Sequence, residues 1–391
     1  MKRFLEKTSL LALSSMLVST FAVTPALPQM IKHFAQLGIS ATQVENLITI
    51  TSFAIMISLL LNGLVVRWLS ERAIIVTGLL LMAIGGSMPL IFSQFSLVFL
   101  ARILLGLGIG LINARAINII SHFFTGKERL QMMGLRGSAE VLGSASLTGL
   151  VGLLIGFGWQ AAFAVYLFAL LILLLFLLFV PKEGLEHQDS QSLDPNQARP
   201  KLNKKLWKLG LSLAFLAFFV INVNTFLIIR IPQIIIDKGI GTAQEASYIL
   251  SLMQLMGILA GTLFSQLFSR LQSWLLVLAY TFFGFSILGI ALADKLWLLG
   301  LTAMISGFFY SIILTLVFNQ ASDRIPSSLL NTVMTIVLMG CNIGGATAAL
   351  VPTYLETISP IMGAFGPYAF MCALISLWLM IKQVRGSQNA T

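Results

Sequence analysis

Side chains able to do chemistry are scarce along the apolar stretches of this chain, and four of them stand out. Arg102 and Arg115 interrupt one apolar run, roughly residues 97–121, and Arg136 and Glu140 interrupt the next, roughly 133–156. In a bilayer an ionisable side chain costs about 2.5–3.5 kcal/mol on insertion scales, so each needs a partner or a task. Glu140 is the one acid inside the apolar runs as the sequence delimits them. A carboxylate whose pairing with a guanidinium changes during a movement can load and release a proton. Arg115 and Glu140 each lie about eight residues from the same end of antiparallel runs, hence at similar depth. They form an ion pair, or Glu140 is a proton-coupling site; a gating cluster of Arg115, Arg136 and Glu140 lies between these readings.

Arg102 shares a helix stripe with Gly106 and Asn113, at steps of four and seven. It is either a cavity-facing cation that binds an anionic group or a structural arginine bonded to carbonyls across a bundle. Further along, Asn222, Phe226 and Arg230 recur at steps of four, followed by Gln254, Tyr310, Asn319 and Asn342. As a set they suit a mixed polar and aromatic pathway; singly, each suits an interhelical bond of about 0.6 kcal/mol. His33, His122 and His187 are too scattered for a metal, and Cys341 and Cys372 fall in apolar runs as small hydrophobes. No metal or cofactor is expected. The chain lacks a glycine-rich loop with lysine to cradle phosphates, so any energy source is an ion or solute gradient.

The elements that position these residues follow from composition. Of 391 residues, 58% are hydrophobic and 10% charged, against about 45–50% and 25% in soluble proteins. A soluble fold could not cover such a surface, which argues against an ordinary soluble enzyme. Clean apolar runs fall near 8–31, 46–66, 73–91, 159–180, 209–229, 246–269, 273–292, 296–320, 329–354 and 360–381. With 97–121 and 133–156 they make twelve membrane-spanning helices of about 20 residues each. The first 28 residues could pass for a signal peptide, but the repeat described below favours a retained first span.

The net charge of +10 is an orientation signal. With a cytoplasmic N-terminus, 17 of the 24 Lys and Arg fall on cytoplasmic segments, while the outer loops hold only Lys32, Lys238 and Lys295. This positive-inside pattern places both termini in the cytoplasm of a cell (inner) membrane protein. No segment interleaves base-stacking aromatics with a basic groove, so nucleic acid is not an expected partner. The expected partners are a small-molecule substrate, the bilayer and a proton gradient, with the monomer as functional unit.

The polar stretch Pro181–Lys205 divides the runs six and six. The expected domains are a six-helix bundle over 1–180, a cytoplasmic linker over 181–206 and a second bundle over 207–391. The halves echo each other at an offset near 200. Leu27-Pro28-Gln29-Met30-Ile31 matches Ile231-Pro232-Gln233-Ile234-Ile235, and Gly38-Ile39 matches Gly239-Ile240. Such a parallel repeat puts a substrate site near the midplane.

Between the second and third runs the chain reads Gly63-Leu64-Val65-Val66-Arg67-Trp68-Leu69-Ser70-Glu71-Arg72. This resembles the loop Gly-x-Leu-x-Asp-Arg-x-Gly-Arg-Arg/Lys of the major facilitator superfamily. Gly63 and Arg72 keep its ends, Arg67 replaces its acid, and Glu71 stands where an arginine is common. Arg102 with Gly106 and Gly108 is similar to the family's Arg-x-x-x-Gly-x-Gly in the fourth span. Gly149 and Gly152 supply glycines of the antiporter motif in the fifth span, without its proline. The resemblance implies an all-α fold of two six-helix bundles and secondary active transport by alternating access, with the third and sixth spans of each half peripheral. Proton-coupled efflux of small amphipathic compounds is the leading expectation. Uptake of a small anionic solute, favoured by Arg102, Arg115 and Arg230, and lipid translocation on the same scaffold are the alternatives.

Overall fold

The computed structural model describes residues 2–124, 126–180, 204–272, 274–325, 327–359 and 362–388. The stretch expected as a linker lies almost wholly outside them, as do His187 and the His122 side chain. The chain divides into two compact units, Met1–Lys201 and Leu202–Thr391.

Unit one contains α1 (Lys2–Ser15), α2 (Leu27–Ala35), α3 (Ala41–Val65), α4 (Glu71–Ser87), α5 (Phe95–Phe123), α6 (Gly126–Leu154) and α7 (Phe168–Phe179). Unit two contains α8 (Lys204–Asp237), α9 (Ala243–Leu271), α10 (Trp274–Leu292), α11 (Leu296–Arg324), α12 (Ser327–Ala346), α13 (Leu350–Ile358) and α14 (Phe365–Gln388). Among the described residues, ten helical stretches are long and apolar enough to cross a membrane. Two bent pairs supply the remaining spans: Lys7–Ser15 with Ser19–Ala35, bent by 46°, and Thr332–Ala346 with Leu350–Ile358, bent by 64°. The fold is therefore all-α with twelve spans, as the apolar runs predict.

Helices close-pack where a glycine removes the side chain. A Cβ at Gly143 of α6 would lie 2.0 Å from the Ser15 carbonyl oxygen, and one at Gly340 of α12 would lie 2.4 Å from that of Ala214. A Cβ at Gly106 of α5 would meet the Thr51 carbonyl oxygen at 2.5 Å, and one at Gly307 of α11 that of Met253 at 2.1 Å. The first and fifth spans of each half thus pack backbone to backbone, as do the second and fourth, and corresponding contacts recur near the same offset of 200. In lipid, with no hydrophobic drive between helices, such close approach is what holds a bundle.

The repeat is equally visible where the first span of each half hands over to the second. Gly38 and Gly239 both take positive φ, 75° and 63°. Each ends its helix with the same pair of bonds. Ile39 N–H donates to the Phe34 carbonyl and Gly38 N–H to that of Ala35, just as Ile240 donates to Ile235 and Gly239 to Ile236. The next helix then starts on a capping box, Ser40 with Gln43 and Thr242 with Glu245. A left-handed glycine followed by a hydroxyl and, three residues on, an amide or carboxylate is thus one turn built twice.

The sixth span agrees with a peripheral scaffold: Leu167, Phe168, Leu170, Leu171, Leu174, Leu177 and Leu178 are all exposed. Pro25 and Pro89 sit in short 3-10 turns at helix ends, and Pro28 opens α2.

Gly307→Ala drives a methyl into the Met253 backbone and is expected to lower stability by about 1–3 kcal/mol. Gly261→Ala, on α9 with nothing within 4 Å of its Cβ position, is expected to leave stability unchanged or slightly raise it. Thermal unfolding of the two variants in one detergent checks both.

Candidate functional site

A break in a membrane helix frees carbonyls that lipid cannot satisfy. In the first span the break falls between Ser15 and Ser19 and continues as 3-10 turns. Arg102 of α5 answers it. Its Nη2 donates to the Thr20 carbonyl at 2.6 Å, its Nε to the Leu47 carbonyl at 3.0 Å and its Nη1 to Tyr166 Oη at 3.0 Å. Tyr166 in turn donates to the Ser19 carbonyl at 2.9 Å, and Ser144 Oγ to that of Val18 at 3.2 Å. Arg102 is 0% exposed. Of the two readings of Arg102, these bonds are those of a structural arginine. Its charge is consumed by backbone from the first and second spans, and it has no surface for a ligand.

The bend in the eleventh span has its own answer. The Gly344 carbonyl would ordinarily receive Ala348 N–H, which bonds to Gly345 instead. Asn222 of α8 donates Nδ2 to that carbonyl at 2.9 Å and to Thr347 Oγ1 at 3.1 Å, and accepts from Tyr368 Oη. Phe226, one turn on, packs its ring against Phe365 and Tyr368 at 4.8 and 5.2 Å. Asn222 and Phe226 are each 1% exposed. Like Arg102, they are interior to their unit.

The pairing expected between Arg115 and Glu140 is also corrected. Arg115 meets Glu71 in an ion pair and donates Nη2 to Asn62 Oδ1 at 2.7 Å. The C-terminal end of α3, the N-terminal end of α4 and the body of α5 are thereby pinned together. The next residue, Arg72, points the other way. Its Nη1 donates to the Val180 carbonyl at 3.0 Å and its Nη2 to Leu177 at 3.4 Å, with the guanidinium 5.6 Å from the Phe176 ring. It caps the C-terminus of α7, where a cation belongs. Arg67 and Gly63 are exposed, and a Cβ at Gly63 would meet nothing within 4 Å.

Glu140 pairs within its own helix, with Arg136 one turn earlier at 2.5 Å. The side chains are 15% and 22% exposed. Arg230 meets Glu356 at 2.8 Å and Gln233 Oε1 at 2.8 Å. Asn113, Gln254, Tyr310 and Asn342 are half-buried on four different helices, and Asn342 returns its amide to the Leu338 carbonyl of its own helix.

Several residues escaped the sequence reading. Glu45, Glu71 and Glu356 all lie on spanning helices, so Glu140 is not the sole membrane acid. Apolar windows end at the last apolar residue, whereas these helices run on into polar ends. Glu45 is buried at 2% exposure. The signal for Glu71 was present: Ser70 caps α4 through a bond from Ala73 N–H, with the acid in the first turn.

Two expected outcomes follow from these partners. Arg102→Met strands two carbonyls and a phenol and is expected to destabilise by about 3 kcal/mol or more, read by thermal unfolding. Glu71→Ala and Arg115→Ala should each destabilise, while the double variant loses less than the two single losses combined; that coupling energy is the measurement.

The Major Facilitator Superfamily profile matches residues 9–349. A search of curated protein sequences gave no match. Among solved structures, the chain is similar to a D-xylose–proton symporter, with TM-score 0.75, 14% identity, and 97% of each chain covered. It is similar to a peptide transporter, a mutant POT in complex with sulfate, with TM-score 0.75 and 15% identity over 98% of this chain and 94% of that one. It is also similar to a mutant of the nucleoside transporter NupG, with TM-score 0.73 and 14% identity over 96% and 98%. At these identities the likeness is one of fold. The profile match over most of the chain, on twelve apolar spans, makes it a multi-pass membrane protein belonging to the Major Facilitator Superfamily.

Proposed function

We propose that the chain is a proton-coupled secondary transporter that exports small amphipathic compounds by alternating access. It would act as a monomer in the cell membrane, with both termini cytoplasmic. Family membership supports secondary transport rather than enzymatic chemistry. The finer reading rests on one observation, the placement of the Arg136–Glu140 pair.

Arg102, Arg115 and Arg230 each have partners from elsewhere in the fold, and those bonds tie helices or helix ends together. The ion pair on α6 lies within one helix, and among the described residues it joins no two helices. Both side chains are largely buried, but their bond runs along one helix, so protonating Glu140 breaks no interhelical contact between the two. That is the property a coupling carboxylate needs: it can lose its guanidinium without loosening the bundle. Protonation would leave Arg136 without its counter-charge, and the helix would then favour a different environment for that cation.

The same bookkeeping weakens anion uptake. The three arginines that suggested an anion site are committed to carbonyls and carboxylates. A largely apolar and aromatic interior suits compounds with an apolar body. The excess of Lys and Arg on one set of loops supports cytoplasmic termini.

In liposomes with an imposed pH gradient, the wild-type chain is expected to concentrate a fluorescent lipophilic amine. Glu140→Gln should reduce gradient-driven accumulation to the level of empty liposomes while leaving flux down the compound's own gradient. Unchanged gradient-driven accumulation in the variant would overturn the assignment of Glu140.

A further inference from the structure

Unit two carries an apolar groove of about 310 Å³ between α8 and α14, lined by Ser212, Phe215, Leu216, Leu374, Ile375 and Trp378. Phe215, Leu374 and Trp378 are exposed. It lies between two helices that are each long and apolar enough to cross a membrane. Apolar lining alone would accept any acyl chain. The ends of the two helices narrow the choice.

The helices run antiparallel, and each step along α8 matches a step back along α14. Phe226 meets Phe365, Asn222 meets Tyr368, and Phe219 lies 6.2 Å from Tyr368. Continuing in this register, Leu216 and Ile375 face the groove together, then Ser212 and Trp378. One further turn in the same register reaches Lys208 on α8 and Lys382 on α14. Both lysines are exposed. Lys382 lies with Nζ 5.2 Å from the centroid of the Trp378 ring. Exposed Trp207 adds a second indole at the same end, the pattern of a membrane boundary. The charge here is one-sided: the only acid of α8 is Asp237, at its far end, and α14 contains none.

We infer that this groove is a binding site for an anionic phospholipid, its acyl chain along Phe215, Leu374 and Trp378 and its phosphate between Lys208 and Lys382. Basic positions at the ends of spanning helices attract anionic headgroups at about this depth. The indole stays at the boundary between chain and headgroup, and the Lys382–Trp378 contact holds one ammonium over the mouth. The site depends only on both lysines lying at one membrane boundary, so it stands or falls separately from proton coupling.

The test is fluorescence quenching in vesicles containing the full chain. Bromine is placed on the acyl chains of either phosphatidylglycerol or phosphatidylcholine. Because the chain has six tryptophans, the Trp378 signal is the difference between wild type and Trp378→Phe. Brominated phosphatidylglycerol is expected to quench that signal at about fivefold lower mole fraction than brominated phosphatidylcholine. The double variant Lys208→Gln/Lys382→Gln should quench equally with both lipids, and Lys208→Arg/Lys382→Arg should keep the preference. Equal quenching by both lipids in wild type, or a preference that survives the glutamine variant, would overturn the proposal. So would the absence of quenching by either lipid, which would mean that another chain covers the groove.

Discussion

Lipid offers no hydrogen bonds, so every backbone group the chain exposes within the membrane must find its partner inside the protein. The fold bends this chain sharply in two spans, the first and the eleventh, and each bend frees carbonyls. The partners built for them organise the two units. In unit one Arg102, Tyr166 and Ser144 reach the broken stretch from three different helices. In unit two Asn222 and Tyr368 do the same work around Gly344 and Thr347. The cation in unit one and the neutral amide in unit two are different answers to one problem. Arg102 also reaches Leu47 of the second span, so its five donors serve more than one helix.

That constraint sorts the charges of the molecule. A guanidinium buried among carbonyls is a structural fastening, whatever its place in a family motif. Arg115 with Glu71 and Asn62, and Arg72 with the end of α7, fasten one end of unit one in the same manner. The acid that the family loop carries earlier has moved to Glu71, the first residue of α4, and there it reaches a cation in the fourth span. What remains is a pair whose members share a helix. Among the described residues its ion pair joins no two helices, and that singles it out; Gly143 lets the same helix lie against α1.

Much of the fold was legible in the residues. Twelve runs of adequate length, the Gly38 and Gly239 turns and the repeated loop chemistry are local signals, and local signals survive folding. The ion pairs were not legible. Depth along antiparallel helices suggested Arg115 and Glu140 as neighbours, but depth says nothing of rotation about the helix axis. A difference of one residue turns a side chain by about 100°. Arg115 turns toward the α3–α4 junction, and Glu140 toward Arg136. The breaks were illegible for a related reason. No proline lies between Ser15 and Ser19 or between Ala346 and Leu350; Pro25 and Pro352, a few residues on, mark the bends only loosely, and the residues that mend them come from distant parts of the chain.

The proposed coupling requires Glu140 to exchange a proton while the other charged groups of the spans keep their partners. Infrared difference spectroscopy on the reconstituted chain, with and without a lipophilic amine, reads this directly. The account predicts a carboxyl band that changes when the compound binds and is missing in Glu140→Gln. Identical difference spectra from wild type and the variant would contradict it.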